Sequence, residues 1–530
     1  MSIIVALLFV FIYNHKIWSI YFTARDVNSL YAVFELMTFG LFVFFLLLAL
    51  FSVFAFKRVQ KVILIFVFMS GAIAMYFSNA LNVYFDTDMI ANIFETDYRE
   101  ATELIVRPLL LYIFILGILP SILILWVDID YARFRKQALH NVLMAAGSLS
   151  AAVLIALPHY ASHSSFVRSN NIALLGSFLP SSYIKASYSY AKKQWVLPAS
   201  HQERISLDES AVKNPRWNAY KKPLALVVIV GETARAESFS LQNGSTEGYL
   251  SQNNLVYFSN FNSCGTSTVI SVPCMFMTEI KSEYKRNLQY QYENILDLAL
   301  KSGFSTHWFD NLNGCKGLCQ NVAEERPKPE DNPLFFHDEQ FYDEVLVDKL
   351  DERIKSTQGD QLWVLHQMGS HGPAYYKRIP ERFIQHQPAC LTEDFSQCTQ
   401  EAIRNTYTDT VLYSEYVISQ AINKLESLKD THDTALIYVS DHGESTGEMG
   451  LYLHGIPWML APDQQTHVPA LLWFSDSYLK SRDLDLQCLA SNSDNLYSHD
   501  NMSHTILSLL DIKTTAYQAN LDLLSPCRAG

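Results

Sequence analysis

The chain has 530 residues, a hydrophobic share of 49% and a formal charge of −13. Phosphate backbones are held by basic patches, so this charge excludes nucleic acid as the main partner and reads as a solvated acidic surface. The length allows two or three domains, and the apolar residues crowd before about Ala161, whereas the chain beyond Pro198 has the composition of a soluble enzyme.

Apolar segments fall at Ser2–Tyr13, Phe34–Phe56, Val62–Ala80, Pro108–Val127 and Val142–Pro158. Roughly 20 apolar residues cross a bilayer core, a length the middle three reach and the fifth attains by extending to Ala161. The first is short and begins at the initiator Met. No small-residue cleavage site follows it and four further spans do, so it reads as a span and not as a signal peptide. Its helix is expected to run on through Phe22, with the natural start upstream of Met1. Lys57, Arg58 and Lys61 lie between spans two and three, and Arg133, Arg135 and Lys136 between spans four and five. Basic loops stay cytoplasmic, which puts the N-terminus inside and everything after Ala161 outside.

The outside loop from Leu81 to Arg107 is acidic and amphipathic, with Asp86, Asp88, Glu95, Asp97 and Glu100. It reads either as a solvated connector or as a surface that helps to hold a lipid headgroup. Residues 162–222 mix apolar and basic side chains, as expected of helices lying on a membrane surface followed by a linker. All eight cysteines lie beyond residue 260. The close pairs Cys264/Cys274, Cys315/Cys319 and Cys390/Cys398 read as disulfides of an oxidising compartment, with Cys488 and Cys527 as the remainder. A metal or redox pair at Cys315 and Cys319 is the other reading.

From residue 223 onward, strands are expected at Leu224–Val230, Thr306–Phe309, Gln361–Gln367, Ile437–Ser440 and Ala470–Phe474, with a long helix over Gln400–Leu428. Such alternation predicts a mixed or parallel sheet covered by helices on both faces. Unbroken Val/Ile runs belong to strands buried on both faces, and ligands gather beyond the carboxyl ends of such strands. Two of these strands end on acids: Gly231-Glu232-Thr233 and Ser440-Asp441-His442-Gly443. A carboxylate beside an imidazole suits a divalent cation. Between them in sequence, Ser263-Cys264-Gly265-Thr266-Ser267-Thr268 places hydroxyls before a helix. There a hydroxyl either caps the helix, its common use, or meets a phosphate at the helix N-terminus. His371 and His454 add imidazoles near strand ends, and several of these together point to zinc.

Gly231 through Glu237, Ser263 through Pro273, His366 through Pro373, Ser440 through Ser445 and Tyr452 through Gly455 resemble the signatures of bacterial phosphoethanolamine transferases. These are inner-membrane enzymes of the alkaline-phosphatase and sulfatase superfamily that decorate lipid A. The resemblance implies an α-helical transmembrane domain of five spans (1–161), surface helices with a linker (162–222) and a periplasmic α/β domain of alkaline phosphatase/sulfatase type (223–530). It implies Thr268 as the nucleophile and Glu232, Thr268, Asp441 and His442 as ligands of a catalytic zinc. His371 and His454 then grip the substrate phosphate or a second zinc, Lys316 contacts substrate, and Thr233 and Ser267 are not nucleophiles. The implied partners are phosphatidylethanolamine as donor, lipid A or the lipopolysaccharide core as acceptor, and the surrounding membrane lipids, served by a monomer. A phosphoglycerol transferase or a metal-dependent phosphodiesterase on the same fold is the neighbouring reading, and a zinc-binding envelope sensor the non-enzymatic one.

Overall fold

The structure, a computed structural model, describes residues 1–96, 98–196 and 204–528. The chain forms two compact units, Met1–Ile90 with Ile105–Lys192, and Ala91–Leu104 with Lys193–Gly530.

In the first unit, four helices are long and apolar enough to cross a membrane: α1 (Leu30–Val53), α2 (Gln60–Ala80), α3 (Arg107–Trp126) and α4 (Phe134–Ser169). The helix at the N-terminus does continue past Tyr13, but not straight: Ser2–Tyr13 and His15–Ala24 meet at 53°, and together they make a fifth candidate span. Asn14 is the cause. Its amide donates to the Phe9 carbonyl at 3.0 Å and to the Leu179 carbonyl at 2.9 Å, and accepts from the Leu179 N–H at 2.8 Å. A side chain inserted into the helical ladder is a standard origin of a kink. The chain beyond Ala161 continues as helix, in the end of α4, α5 (Asn171–Ser177) and α6 (Ser181–Val196). Polar residues of this unit turn inward: Arg25 pairs with Glu35 and Ser162, and Thr38 lies 3.1 Å from His163.

The second unit is built on a seven-stranded sheet of β1 (Leu224–Gly231), β2 (Leu255–Phe258), β3 (Ser305–Asp310), β4 (Ala323–Glu325), β5 (Gln361–His366), β6 (Asp433–Ser440) and β7 (Ala470–Phe474). Their spatial order is β2-β7-β6-β1-β5-β3-β4, with parallel pairing from β6 through β4 and antiparallel pairing at β7 and β2. Alternate residues of a strand face opposite sides. Leu224, Leu226, Val228 and Val230 therefore enter one core with Ile506 and Leu509, while Ala225, Val227 and Ile229 enter the other with Ile418 and Ile422 of α8 (Gln400–Glu426). This two-sided burial is why β1 shows no polar alternation. Each buried Val, Leu or Ile side chain contributes about 1.5–3 kcal/mol.

Register then sets the site. Ser440 lies opposite Gly231, so the residues that follow, Asp441 and Glu232, leave the sheet side by side. Val230 lies opposite His366, and His366 opposite Asp310, which puts Asp310 and His366 in the same row at the carboxyl end. Four disulfides, Cys264–Cys274, Cys315–Cys319, Cys390–Cys398 and Cys488–Cys527, match the spacing-based pairing, including the remainder pair.

Candidate active site

The turn after β1 wraps tightly around Glu232. Thr233 has a φ of 53°, a β-branched residue held in the left-handed region, and its hydroxyl finds no hydrogen-bond partner among the described residues. That geometry costs about 1–3 kcal/mol and recurs where function over-determines the backbone. Gly369 packs against the same turn with a φ of 55°; a Cβ there would sit 2.4 Å from the Glu232 carbonyl oxygen, so only glycine fits.

Thr268 is the first residue of α7 (Thr268–Phe276). Its hydroxyl does not cap the helix. Oγ1 instead donates to the Glu232 carboxylate, 3.1 Å from Oε1 and 3.2 Å from Oε2, and stands 3.5 Å from His442 Nε2. Of the neighbouring hydroxyls, Thr266 donates to the Ile456 carbonyl at 2.7 Å, and Ser267 is the N-cap residue, without a side-chain capping bond. Neither Thr233 nor Ser267 competes with Thr268 for the carboxylate.

Asp441 Oδ1 accepts from the N–H groups of Thr233 at 3.1 Å and His442 at 2.7 Å, while Oδ2 is buried without a hydrogen-bond partner among the described residues. His442 directs Nδ1 to the Gly443 carbonyl at 2.9 Å, which leaves Nε2 turned inward, 3.3 Å from Asp441 Oδ2 and 3.6 Å from Glu232 Oε1. Glu232, Asp441 and His442 thus offer ligand atoms within 4.8 Å of one another. Electrostatics agree with a cation site. Burial, then the adjacent Asp441 carboxylate, push Glu232 well above the ordinary carboxylate range. Burial opposes charge on Asp441 too, but His442 and the Thr233 N–H hold it below its ordinary value. Burial lowers His442 to about 4, so its Nε2 presents a lone pair. Two carboxylates, one of them with an orphaned buried oxygen, and an imidazole lone pair are a hard-and-borderline donor set that a divalent ion satisfies.

A second group adjoins it. His454 Nδ1 lies 2.8 Å from Glu444, which also accepts from the Tyr375 hydroxyl at 2.9 Å. The His454 ring centre is 4.4 Å from that of His442 and 5.3 Å from that of His371. His442, Glu444 and His454 could themselves hold an ion. His371 Nε2 faces Glu100 at 3.3 Å. Although burial opposes both charges, the pairing wins: His371 is raised, and Glu100 is lowered to about 2, with Lys316 among the positive charges acting on it. Lys316 itself sits in the turn between the cysteines of the Cys315–Cys319 pair, with a φ of 51°.

Of the residues expected at the site, Glu232, His371, Asp441, His442 and His454 follow the carboxyl ends of β1, β5 and β6, Lys316 is on the loop after β3, and Thr268 opens α7. Those not singled out by sequence are Glu444, Glu100, His366 and Asp310. Glu444 had a signal, standing two residues from His442 in the same turn. Glu100 had a weaker one, as one acid among several in the outside loop. That loop is no free connector: Glu95 pairs with Arg286 at 2.7 Å, Glu100 with His371, and Glu103 with Arg378.

A family model described as Sulfatase matches residues 225–512, and one described as Phosphoethanolamine transferase EptA/EptB matches residues 43–195. Phosphoethanolamine transferase EptA of Escherichia coli strain K12 is 39% identical over 466 residues, covering 86% of this chain and 84% of that protein. Phosphatidylethanolamine transferase Mcr-1 of Escherichia coli is 32% identical over 470 residues, covering 86% and 85%. The solved integral membrane protein lipooligosaccharide phosphoethanolamine transferase A (EptA) from Neisseria meningitidis aligns with a TM-score of 0.92 at 32% identity, over 100% of this chain and 98% of that one.

Proposed function

The chain belongs to the phosphoethanolamine transferases, and from that premise we propose a ping-pong transfer through Thr268. It is an inner-membrane enzyme with its catalytic domain in the periplasm, and it moves phosphoethanolamine to lipid A. In our reading phosphatidylethanolamine is the donor, a phosphate of lipid A or of the lipopolysaccharide core the acceptor, and the enzyme works as a monomer. We divide it into a membrane part (1–161), surface helices and linker (162–222) and a catalytic part (223–530).

The observation that carries the reading is the Thr268 hydroxyl held 3.1 Å from Glu232 inside the Glu232–Asp441–His442 group. Glu232, Thr268, Asp441 and His442 would hold the zinc, which when bound supplies Lewis-acid charge that makes the Thr268 alkoxide accessible. Thr268 Oγ1 attacks phosphorus, the bond from phosphorus to the glycerol oxygen breaks, and diacylglycerol leaves. The phosphoethanolamine then sits on Thr268 at the N-terminus of α7, where the helix dipole favours its negative charge. An acceptor phosphate oxygen attacks in turn and frees Thr268. His371, His454 and Lys316 stand around the nonbridging oxygens, and positive groups aimed where charge develops are the largest contribution to such transfers.

Mass spectrometry of lipid A from cells with and without the protein is the test. Added phosphoethanolamine that disappears with Thr268→Ala is the expected result. Free phosphoethanolamine as the only product supports the phosphodiesterase reading, and a glycerol phosphate adduct the phosphoglycerol one. A phosphoethanolamine adduct on intact Thr268→Ala protein overturns the nucleophile.

A further inference from the structure

Asp310 closes β3 in the same row as His366, at 1% exposure, and His366 is completely buried. Its carboxylate is divided between two tasks. Oδ2 lies 2.8 Å from His366 Nδ1 and accepts from the Trp308 indole N–H at 2.9 Å. Oδ1 accepts from the N–H groups of Leu312 at 2.9 Å and Gly314 at 3.0 Å. Burial opposes the charge, but His366 and these donors outweigh it and hold Asp310 well below the ordinary carboxylate range.

The first task points to the ion site. With Nδ1–H donated to Asp310, His366 turns its other nitrogen toward Glu232: Nε2 is 3.9 Å from Glu232 Oε2 and has no hydrogen-bond partner among the described residues. A carboxylate behind an imidazole fixes its tautomer and its ring angle, and losing such a partner costs metal sites about 10–100-fold in affinity. The second task points to the substrate. Leu312 and Gly314 begin the turn that carries Lys316, and a carboxylate accepting two amides of one turn sets the path of that backbone.

We propose that Asp310 is a positioning residue that ties the metal centre to the Lys316 loop, orienting His366 against Glu232 with one oxygen and shaping the Lys316 turn with the other. The second arm rests on the reading of Lys316 as a substrate contact; the first does not. Asp310 touches neither substrate nor ion, so its effects pass through His366 and Lys316.

The two arms separate by substitution in the full-length protein in detergent. Asp310→Asn keeps a carbonyl oxygen for the loop amides but sets an N–H₂ against His366 Nδ1. Zinc affinity, measured by competition with a chromophoric chelator, is expected to fall about 10–100-fold, with the melting temperature of the metal-free protein unchanged. His366→Phe should produce the same loss, and the double variant should be no worse than His366→Phe alone. Asp310→Ala should add a several-fold rise in KM for the lipid donor, matching Lys316→Ala, which leaves zinc affinity intact. Wild-type zinc affinity in Asp310→Asn, or losses that add in the double variant, overturns the first arm. Unchanged KM in Asp310→Ala beside a raised KM in Lys316→Ala overturns the second. Should Asp310→Asn not fold, undiminished zinc affinity in His366→Phe overturns the proposal by itself. The affinity measurements need no transferase activity, so they stand or fall separately from the transfer reaction.

Discussion

The two units use the same apolar residues in opposite ways. In the membrane unit large side chains point outward: Phe11, Leu111 and Leu154 are 69%, 58% and 65% exposed, while Asn14, Glu35 and His163 are buried. In the catalytic unit Leu226, Val228 and Val439 are fully buried. Lipid tails are as apolar as leucine, so burying one leucine more in a helix bundle gains little, whereas an unpaired polar group facing lipid costs much. Water reverses both preferences. The catalytic unit nevertheless breaks its own rule at the carboxyl ends of β1 and β6, where two carboxylates are buried side by side.

The contrast is most sharply tested at that exception. Thr268→Ala should reduce phosphoethanolamine transfer by roughly 10³–10⁶-fold, since removing one member of a nucleophilic group disables the whole. Lipid A mass spectrometry reads the loss, and an unchanged melting temperature of the metal-free protein shows that the fold is intact. Next in size, Leu226→Ala should cost about 2–5 kcal/mol in the catalytic unit, measured by denaturant unfolding. A cost below about 1 kcal/mol there would erase the distinction between the units.

Glu232→Gln should change sign with metal. In metal-free protein the native pKa of Glu232 lies above its ordinary 4.5, so stability falls as pH rises past 4.5, and the amide should recover about 1–3 kcal/mol near neutral pH. With zinc present the same substitution should destabilise, because a ligand that binds only the native state is lost. Thermal melts with and without chelator decide it.

The Glu100–His371 pair should hold the Ala91–Leu104 segment over a defined pH window. Glu100 is lowered to about 2 from 4.5, so its contribution is complete above 4.5 and fades as pH falls toward 2. His371 is raised above 6.5, so its contribution is complete below 6.5 and is lost as pH rises through the higher native value. Hydrogen exchange of this segment should be slowest between those limits, by about 1 kcal/mol of protection, and Glu100→Gln should flatten the profile. Smallest of all, Leu111→Ala should change stability in detergent by less than about 0.5 kcal/mol, because its side chain exchanges one apolar surrounding for another.

Much of this molecule is legible along the chain. The spans are runs of apolar length, the strands β1 and β6 are unbroken Val/Ile blocks, and Glu232, Asp441 and His442 sit where such blocks stop. The kink at Asn14 is less so, because it depends on the Leu179 backbone arriving from far along the chain. Glu100 was one acid in a loop of acids until His371 was seen against it, and Thr268 could as well have been a helix cap.

Hydrophobic period and segment length are local quantities, so residue order alone was enough for the architecture, the compartment and the acids at the ends of β1 and β6. Pairing is not local. Whether Thr268 faces Glu232 or its own helix, whether Glu100 meets His371, and whether Asp310 backs His366 all follow from strand register and loop docking. Those are set by packing on both sides of the sheet, between residues tens to hundreds of positions apart, where no pattern in neighbouring letters reaches.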